Sequence, residues 1–175
     1  WSSPYEADSP SYYPTDYEMI SFEDWILRKK NRLKSTIGKK APNWKLPSLS
    51  GDTVMFRGRY KKLILLEFWY VGCAPCMQAL PFLHELSEKY DRSKFEIISI
   101  EFQNSKEVIE KFIKRKELKF NYQILFDGKS VANEYGIQGA PTFILINDNG
   151  DILLSEGGFN ESIDRKVESA IKNNI

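Results

Sequence analysis

The chain has two cysteines, and both lie in one short segment, Cys73-Ala74-Pro75-Cys76. Two thiols at this spacing admit three chemistries: a redox pair, half of a metal site, or two unrelated thiols. A zinc site needs two more ligands, and the one histidine, His84, lies eight residues past Cys76 on what reads as the same helix. Two helical turns span about 11 Å, too far for a shared zinc, so a metal would require a second chain and none is expected. A Ser-His-Asp site would rest on His84 alone, and its place on that helix reads as surface or interhelical.

The flanking residues separate the remaining options. Leu63–Tyr70 (LILLEFWY) enters the pair as a continuous apolar strand, and a helical stretch from Cys73 to Tyr90 leaves it. Cys73 then falls at a helix N-terminus, where unpaired N–H groups and the positive end of the dipole favour a thiolate. Cys76 falls one turn inside, shielded, with its sulfur facing that of Cys73. The asymmetry assigns roles: Cys73 attacks a substrate disulfide, and Cys76 displaces the product and closes the intramolecular bond. Pro75 lacks an N–H and suits the first turn.

Two further positions carry chemical expectations. Glu67 sits in the middle of the apolar strand, where a charged carboxylate is costly to bury. Either it reaches a solvated edge or a local donor, or it is a carboxyl of raised pKa behind the cysteines that takes the proton of Cys76. Ala140-Pro141-Thr142 precedes a core strand. A cis bond at Pro141 would expose the backbone of Ala140 near Cys73 for pairing with a substrate peptide; an ordinary trans proline at a strand entry is the alternative.

The elements that must position these residues alternate along the chain. Trp44–Pro47 and Thr53–Phe56 read as short strands around the turn Ser50-Gly51-Asp52. Phe95–Phe102 is a second core strand, a helix runs from Asn104 to about Lys116, Tyr122–Phe126 is a further strand, and Ser130–Tyr135 is a helical turn or two. Thr142–Asn147 and Asp151–Ser155 form a hairpin across Asp148-Asn149-Gly150, and Asn160 caps a last helix. This order, from Ala41 onward, predicts an α/β domain with a mixed central sheet and helices on both faces.

Ahead of it stand two different segments. Residues 1–20 hold four acids and no Lys or Arg, with three prolines, four serines and four tyrosines, and read as an irregular acidic arm. Residues 21–36 read as a basic amphipathic helix opened by a Ser21/Asp24 capping box; residues 21–40 carry seven basic and two acidic side chains. Trp25 and Ile26 are expected to dock this helix on the domain while its charges stay solvated.

Across all 175 residues, 25 Lys and Arg balance 24 Asp and Glu, so no global charge favours nucleic acid or an anionic membrane. The longest apolar run, Leu63 to Val71, is broken by Glu67 and is far short of the roughly 20 residues a bilayer requires. The chain opens on Trp1 without a charged-then-apolar leader, as a trimmed product would, so targeting or anchoring information is expected outside it.

Glu67-Phe68-Trp69, Cys73-Ala74-Pro75-Cys76, Pro81 and Tyr135-Gly136-Ile137-Gln138-Gly139-Ala140-Pro141-Thr142 resemble, in order and context, the thioredoxin superfamily. Pro81 matches the proline that kinks the active-site helix. Gly38-Lys39-Lys40-Ala41-Pro42-Asn43-Trp44, and the extra helix and strand between Cys76 and Pro141, are similar to the TlpA/ResA-like branch. The resemblance covers residues 37–175 and implies for them a thioredoxin-like fold with an N-terminal β-hairpin and a central βα insertion. It implies a thiol–disulfide oxidoreductase, acting mainly as a reductase of protein disulfides and supplied by an upstream thiol electron donor, with no cofactor. It also implies an extracytoplasmic location, with the membrane reached only through an anchor not present in this chain. Cys73, Cys76 and Glu67 are then the catalytic residues, and Ala140, Pro141, Trp69, Tyr70 and Pro75 the substrate-binding ones. Ala79 stands where cytochrome-maturation members carry a glutamate, which argues against that dedicated role. Gly72 stands where many relatives carry Trp, leaving Trp69 and Tyr70 to supply the aromatic surface. A thioredoxin-fold peroxidase and a non-catalytic interaction module are the competing functions; the Pro-x-x-x-Thr-x-x-Cys context of peroxidases is absent.

Overall fold

The computed structural model describes residues 21–175, and the acidic arm over residues 1–20 lies outside them. Helix α1 (Phe22–Lys34) starts where the capping box predicts: Ser21 Oγ accepts the Asp24 N–H at 3.0 Å and donates to the Asp24 carboxylate at 2.8 Å. Its docking differs from expectation. Trp25 is exposed, stacked on Phe22, with the Lys29 ammonium 4.0 Å from its ring. Leu33, one helical repeat after half-buried Ile26, is the side chain that reaches the core. Positions 26 and 33 share a face that turns toward the domain, and Trp25 is rotated about 100° off it.

A hairpin of β1 (Trp44–Pro47) and β2 (Thr53–Phe56) forms its own two-stranded antiparallel sheet. Then follow β3 (Leu63–Trp69), α2 (Ala74–Lys89), β4 (Phe95–Glu101), α3 (Lys106–Arg115), β5 (Gln123–Leu125), α4 (Lys129–Glu134), β6 (Thr142–Ile146), β7 (Ile152–Gly157) and α5 (Glu161–Lys172). The main sheet has the order β5-β4-β3-β6-β7, with β3, β4 and β5 parallel and β6 and β7 antiparallel. This is the thioredoxin-like α/β fold, with a mixed central sheet and helices on both faces.

All seven residues of β3 are buried, and their alternation divides them between two interiors. Ile64, Leu66 and Phe68 face the hairpin residues Trp44, Leu46 and Phe56 and α4 residues Val131 and Ala132. Leu63 and Leu65 face Leu83 and Leu86 of α2 and Ile163, Val167 and Ile171 of α5. Each such aliphatic side chain contributes roughly 1.5–3 kcal/mol by leaving water. Trp69 extends the α2 side into a third cluster with Cys73, Cys76, and Ile109 and Phe112 of α3. From β3 the chain runs outward to β4 and β5, then returns to β6 on β3's other edge. The carboxyl end of β3 therefore opens at a topological switch point, where α/β sheets present their sites.

The β6–β7 turn sets a sharp steric limit. Gly150 has φ +82°, and a Cβ there would meet the Gly58 carbonyl oxygen at 1.9 Å. Gly150→Ala is expected to lower unfolding free energy by about 2–4 kcal/mol in urea titration, from left-handed strain plus a backbone clash; a loss under about 0.5 kcal/mol would contradict this packing.

Candidate active site

The site is assembled where β3 ends. Gly72 has φ +90°, a conformation that side-chain-bearing residues disfavour, so the turn into the cysteines explains the residue type found there. Cys73 is the N-cap of α2, with Pro75 in the first turn and Pro81 inside the helix. The Cys76 N–H donates to Cys73 Sγ at 3.2 Å. A free N–H at the start of a helix thus points at the first sulfur. Cys73 and Cys76 are joined in a disulfide of 2.06 Å. Their exposures, 2% and 0%, are nearly equal, so the asymmetry between them lies in helix position rather than in access. Ala74 and Pro75 are exposed beside the disulfide and form its rim.

Glu67 follows Leu65 and precedes Trp69 on the α2 side of β3, and only 1% of it is exposed. Its register neighbour on β4 is Ser99, whose hydroxyl donates to Glu67 Oε2 at 2.7 Å. Burial pushes the carboxyl up to about 7, opposed by that single hydrogen bond. The solvated-edge alternative is thereby removed. Tyr122 adds to the setting: its buried hydroxyl has no hydrogen-bond partner among the described residues, and its pKa is raised by burial and by the Glu67 charge.

A second acid was not singled out by sequence reasoning. Glu101, the register neighbour of Trp69, is fully buried. Its Oε1 accepts the Val71 N–H at 3.3 Å, and its Oε2 accepts those of Gln103 at 3.0 Å and Asn104 at 2.8 Å. Asn104 Oδ1 also accepts the Val71 N–H, at 3.1 Å. Glu101 therefore ties the loop entering the cysteines to the loop opening α3. Burial raises its pKa and the three N–H donors pull it back. The available signal was the one that marked Glu67, an acid within an apolar core strand.

The remaining sequence-identified residues separate into two groups. Ala140 packs against the cluster that holds both cysteines, and its bond to buried Pro141 is cis, which settles the alternative left open by the sequence. Tyr70 is half-buried, edge-on to Phe102 at 5.9 Å. Trp69 is a correction. Only 2% exposed and 6.3 Å from the Phe120 ring, it lies under the site and offers no aromatic surface to a substrate. The strand period turns it inward, the price of sharing a face with Glu67. His84 lies on α2 with Nδ1 3.5 Å from Glu88, away from this constellation. Among the described residues, no group of three or more His, Cys, Asp or Glu side chains is placed to hold a metal ion.

Comparison with known proteins identifies this arrangement. The model of the AhpC/TSA family matches residues 37–155. The chain belongs to that family. It is a thiol–disulfide oxidoreductase of thioredoxin-like fold. The thiol–disulfide oxidoreductase ResA of Bacillus thuringiensis subsp. konkukian is 30% identical over 139 residues, covering 79% of each chain. That of Halalkalibacterium halodurans is 30% identical over 143 residues, covering 81% of each. A Chlorobium tepidum structure, provisionally assigned as a thiol:disulfide interchange protein DsbE, superposes with a TM-score of 0.72 at 27% identity, covering 79% of this chain and 96% of that one.

The buried carboxyl of this oxidoreductase has a thermodynamic consequence. Because Glu67 has a higher pKa folded than unfolded, its stabilising contribution is present at acid pH and lost as pH rises from about 4.5 to about 7. Relative to wild type, disulfide-form Glu67→Gln is expected to gain about 3 kcal/mol in unfolding free energy between pH 4.5 and pH 8, with the change flat above about 7.5. Parallel pH profiles in urea titrations would contradict a buried, titrating carboxyl.

Proposed function

We propose that this oxidoreductase is a reductase of protein disulfides that works outside the cytoplasm. The observation that carries the reading is the Cys76 N–H on Cys73 Sγ at the start of α2, a geometry that would favour a Cys73 thiolate in the dithiol form. In the cycle, the Cys73 thiolate attacks one sulfur of the substrate disulfide. That bond breaks, one substrate cysteine leaves as thiolate, and a Cys73–substrate disulfide forms. Cys76 gives its proton to the Glu67 carboxylate and attacks Cys73 Sγ. The second substrate thiolate leaves and the Cys73–Cys76 disulfide closes. Two electrons have passed from the dithiol to the substrate, and an upstream thiol donor restores the dithiol. No cofactor enters.

A carboxyl with a pKa of about 7 suits a group that must both accept and release a proton near neutrality. The backbone of Ala140, beside the cysteine cluster, supports strand-like pairing with the substrate chain, with Pro141 behind it and Tyr70 and Pro75 at the rim. Resemblance to the TlpA/ResA branch supports the extracytoplasmic location. Among the described residues no helix is long and apolar enough to cross a membrane. We read the chain as an acidic arm (1–20), a basic helix (21–36) and the redox domain (37–175).

Cys76→Ser is expected to accumulate a mixed disulfide with a model protein substrate, visible as a mass increase reversed by dithiothreitol, while Cys73→Ser accumulates none. Faster iodoacetamide labelling of Cys76 than of Cys73 in the reduced protein would reverse the role assignment. For Glu67, substrate release after single turnover is expected to slow about 100-fold in Glu67→Gln and to lose its inflection near pH 7. Unchanged release kinetics from about pH 6 to 9 would remove Glu67 from proton transfer.

A further inference from the structure

A cavity of about 500 Å³ separates α1 from the end of β7, the first turn of α5 and the loop ahead of Pro141. Its walls carry four lysines against one carboxylate, that of Glu156. Lys29, Lys30 and Lys34 project from α1, and none forms an ion pair with a described residue; Lys166 joins them from α5, paired with Glu156 at 3.0 Å. Lys29 stands hard against the loop, since a methyl group on Gly139 would lie 3.2 Å from its Nζ. Ser155, buried on β7, lines the same cavity, and its hydroxyl has no partner among the described residues. A half-enclosed group of three lysines without an ion-pair partner among the described residues, with an unsatisfied hydroxyl at its wall, is chemistry suited to a carboxylate.

The position of the cavity indicates whose carboxylate. Ala140 belongs both to its lining and to the cluster around the disulfide. A substrate chain paired with Ala140 advances about 3.3 Å per residue, so residues two to four places from its reactive cysteine fall over the lysines. We propose that this cavity is a specificity subsite that takes acidic side chains flanking the reactive disulfide of the substrate polypeptide. The inference rests on the protein-disulfide reading above. Helix α1 then contributes to substrate choice without touching the reacting sulfurs, and association is steered by charge.

The test uses the full chain and three disulfides: a peptide with two Asp residues two to four positions from its cysteine, the same peptide with Asn in their place, and uncharged hydroxyethyl disulfide as the reference for both. In about 50 mM salt, kcat/KM for the Asp peptide is expected to exceed that for the Asn peptide at least tenfold, with the gap narrowing in about 0.5 M salt. Lys29→Glu combined with Lys34→Glu is expected to abolish or invert the gap after normalisation to the reference. Equal wild-type values for the two peptides, or a gap that survives charge reversal, would overturn the proposal. It would also be overturned if the gap were absent in wild type and appeared only after amide substitution of Glu6, Asp8, Asp16 and Glu18, since the cavity would then serve the chain's own arm. Failure of the wild type on all three disulfides would instead sink the reductase reading, and this inference with it.

Discussion

Strand β3 is covered on both faces and paired along both edges, so no side chain it carries reaches water. That enclosure explains the rest of the site. It gives the strand its aliphatic composition, sets Glu67 and Trp69 facing inward on the α2 side, and leaves only the carboxyl end of the strand to open outward, where the two cysteines begin a helix. Glu67 is the residue that pays for this placement in solvation. With one hydroxyl for a partner, its carboxyl titrates near 7 rather than near the usual carboxylate value.

Two acids lie buried on adjacent strands, and their partners distinguish them. Glu101 receives three backbone N–H groups and joins two loops. Glu67 has a single hydroxyl donor and stands near a tyrosine hydroxyl without a partner, so neither protonation state is strongly held. A carboxylate fixed by backbone donors suits a brace, and one balanced between states suits a proton acceptor. The same residue type in the same apolar context meets two settings, because only Glu101, at the end of its strand, lies within reach of loop N–H groups.

Helix α1 shows how a weakly buried element can still shape a surface. It contributes no fully buried residue, and Leu33 is its main anchor in the core. Its lysines nevertheless form one wall of a cavity whose other walls are β7, α5 and the loop that carries Ala140. Basic charge that looks diffuse along the sequence becomes directed once the helix is laid beside that loop.

Much of this molecule was legible in the amino-acid order. Apolar runs at strand length, turn clusters, the capping box at Ser21 and the Cys73/Cys76 spacing are local signals, because hydrogen bonding and side-chain period act over a few residues. They determined the element order, the mixed α/β class and the place of the cysteines at a helix start. What they could not determine was which way each strand residue faces and what it meets. Trp25 and Trp69 were expected to dock and to form surface, respectively; one is exposed and the other buried, since both outcomes turn on rotation about an element's axis. The tie from Glu101 to Val71 and the lysine-walled cavity were hidden for a related reason. Their partners lie far away in sequence or on another element, and only the tertiary structure, by closing those distances, decided that a carboxylate would brace a loop and that charges on α1 would face Ala140.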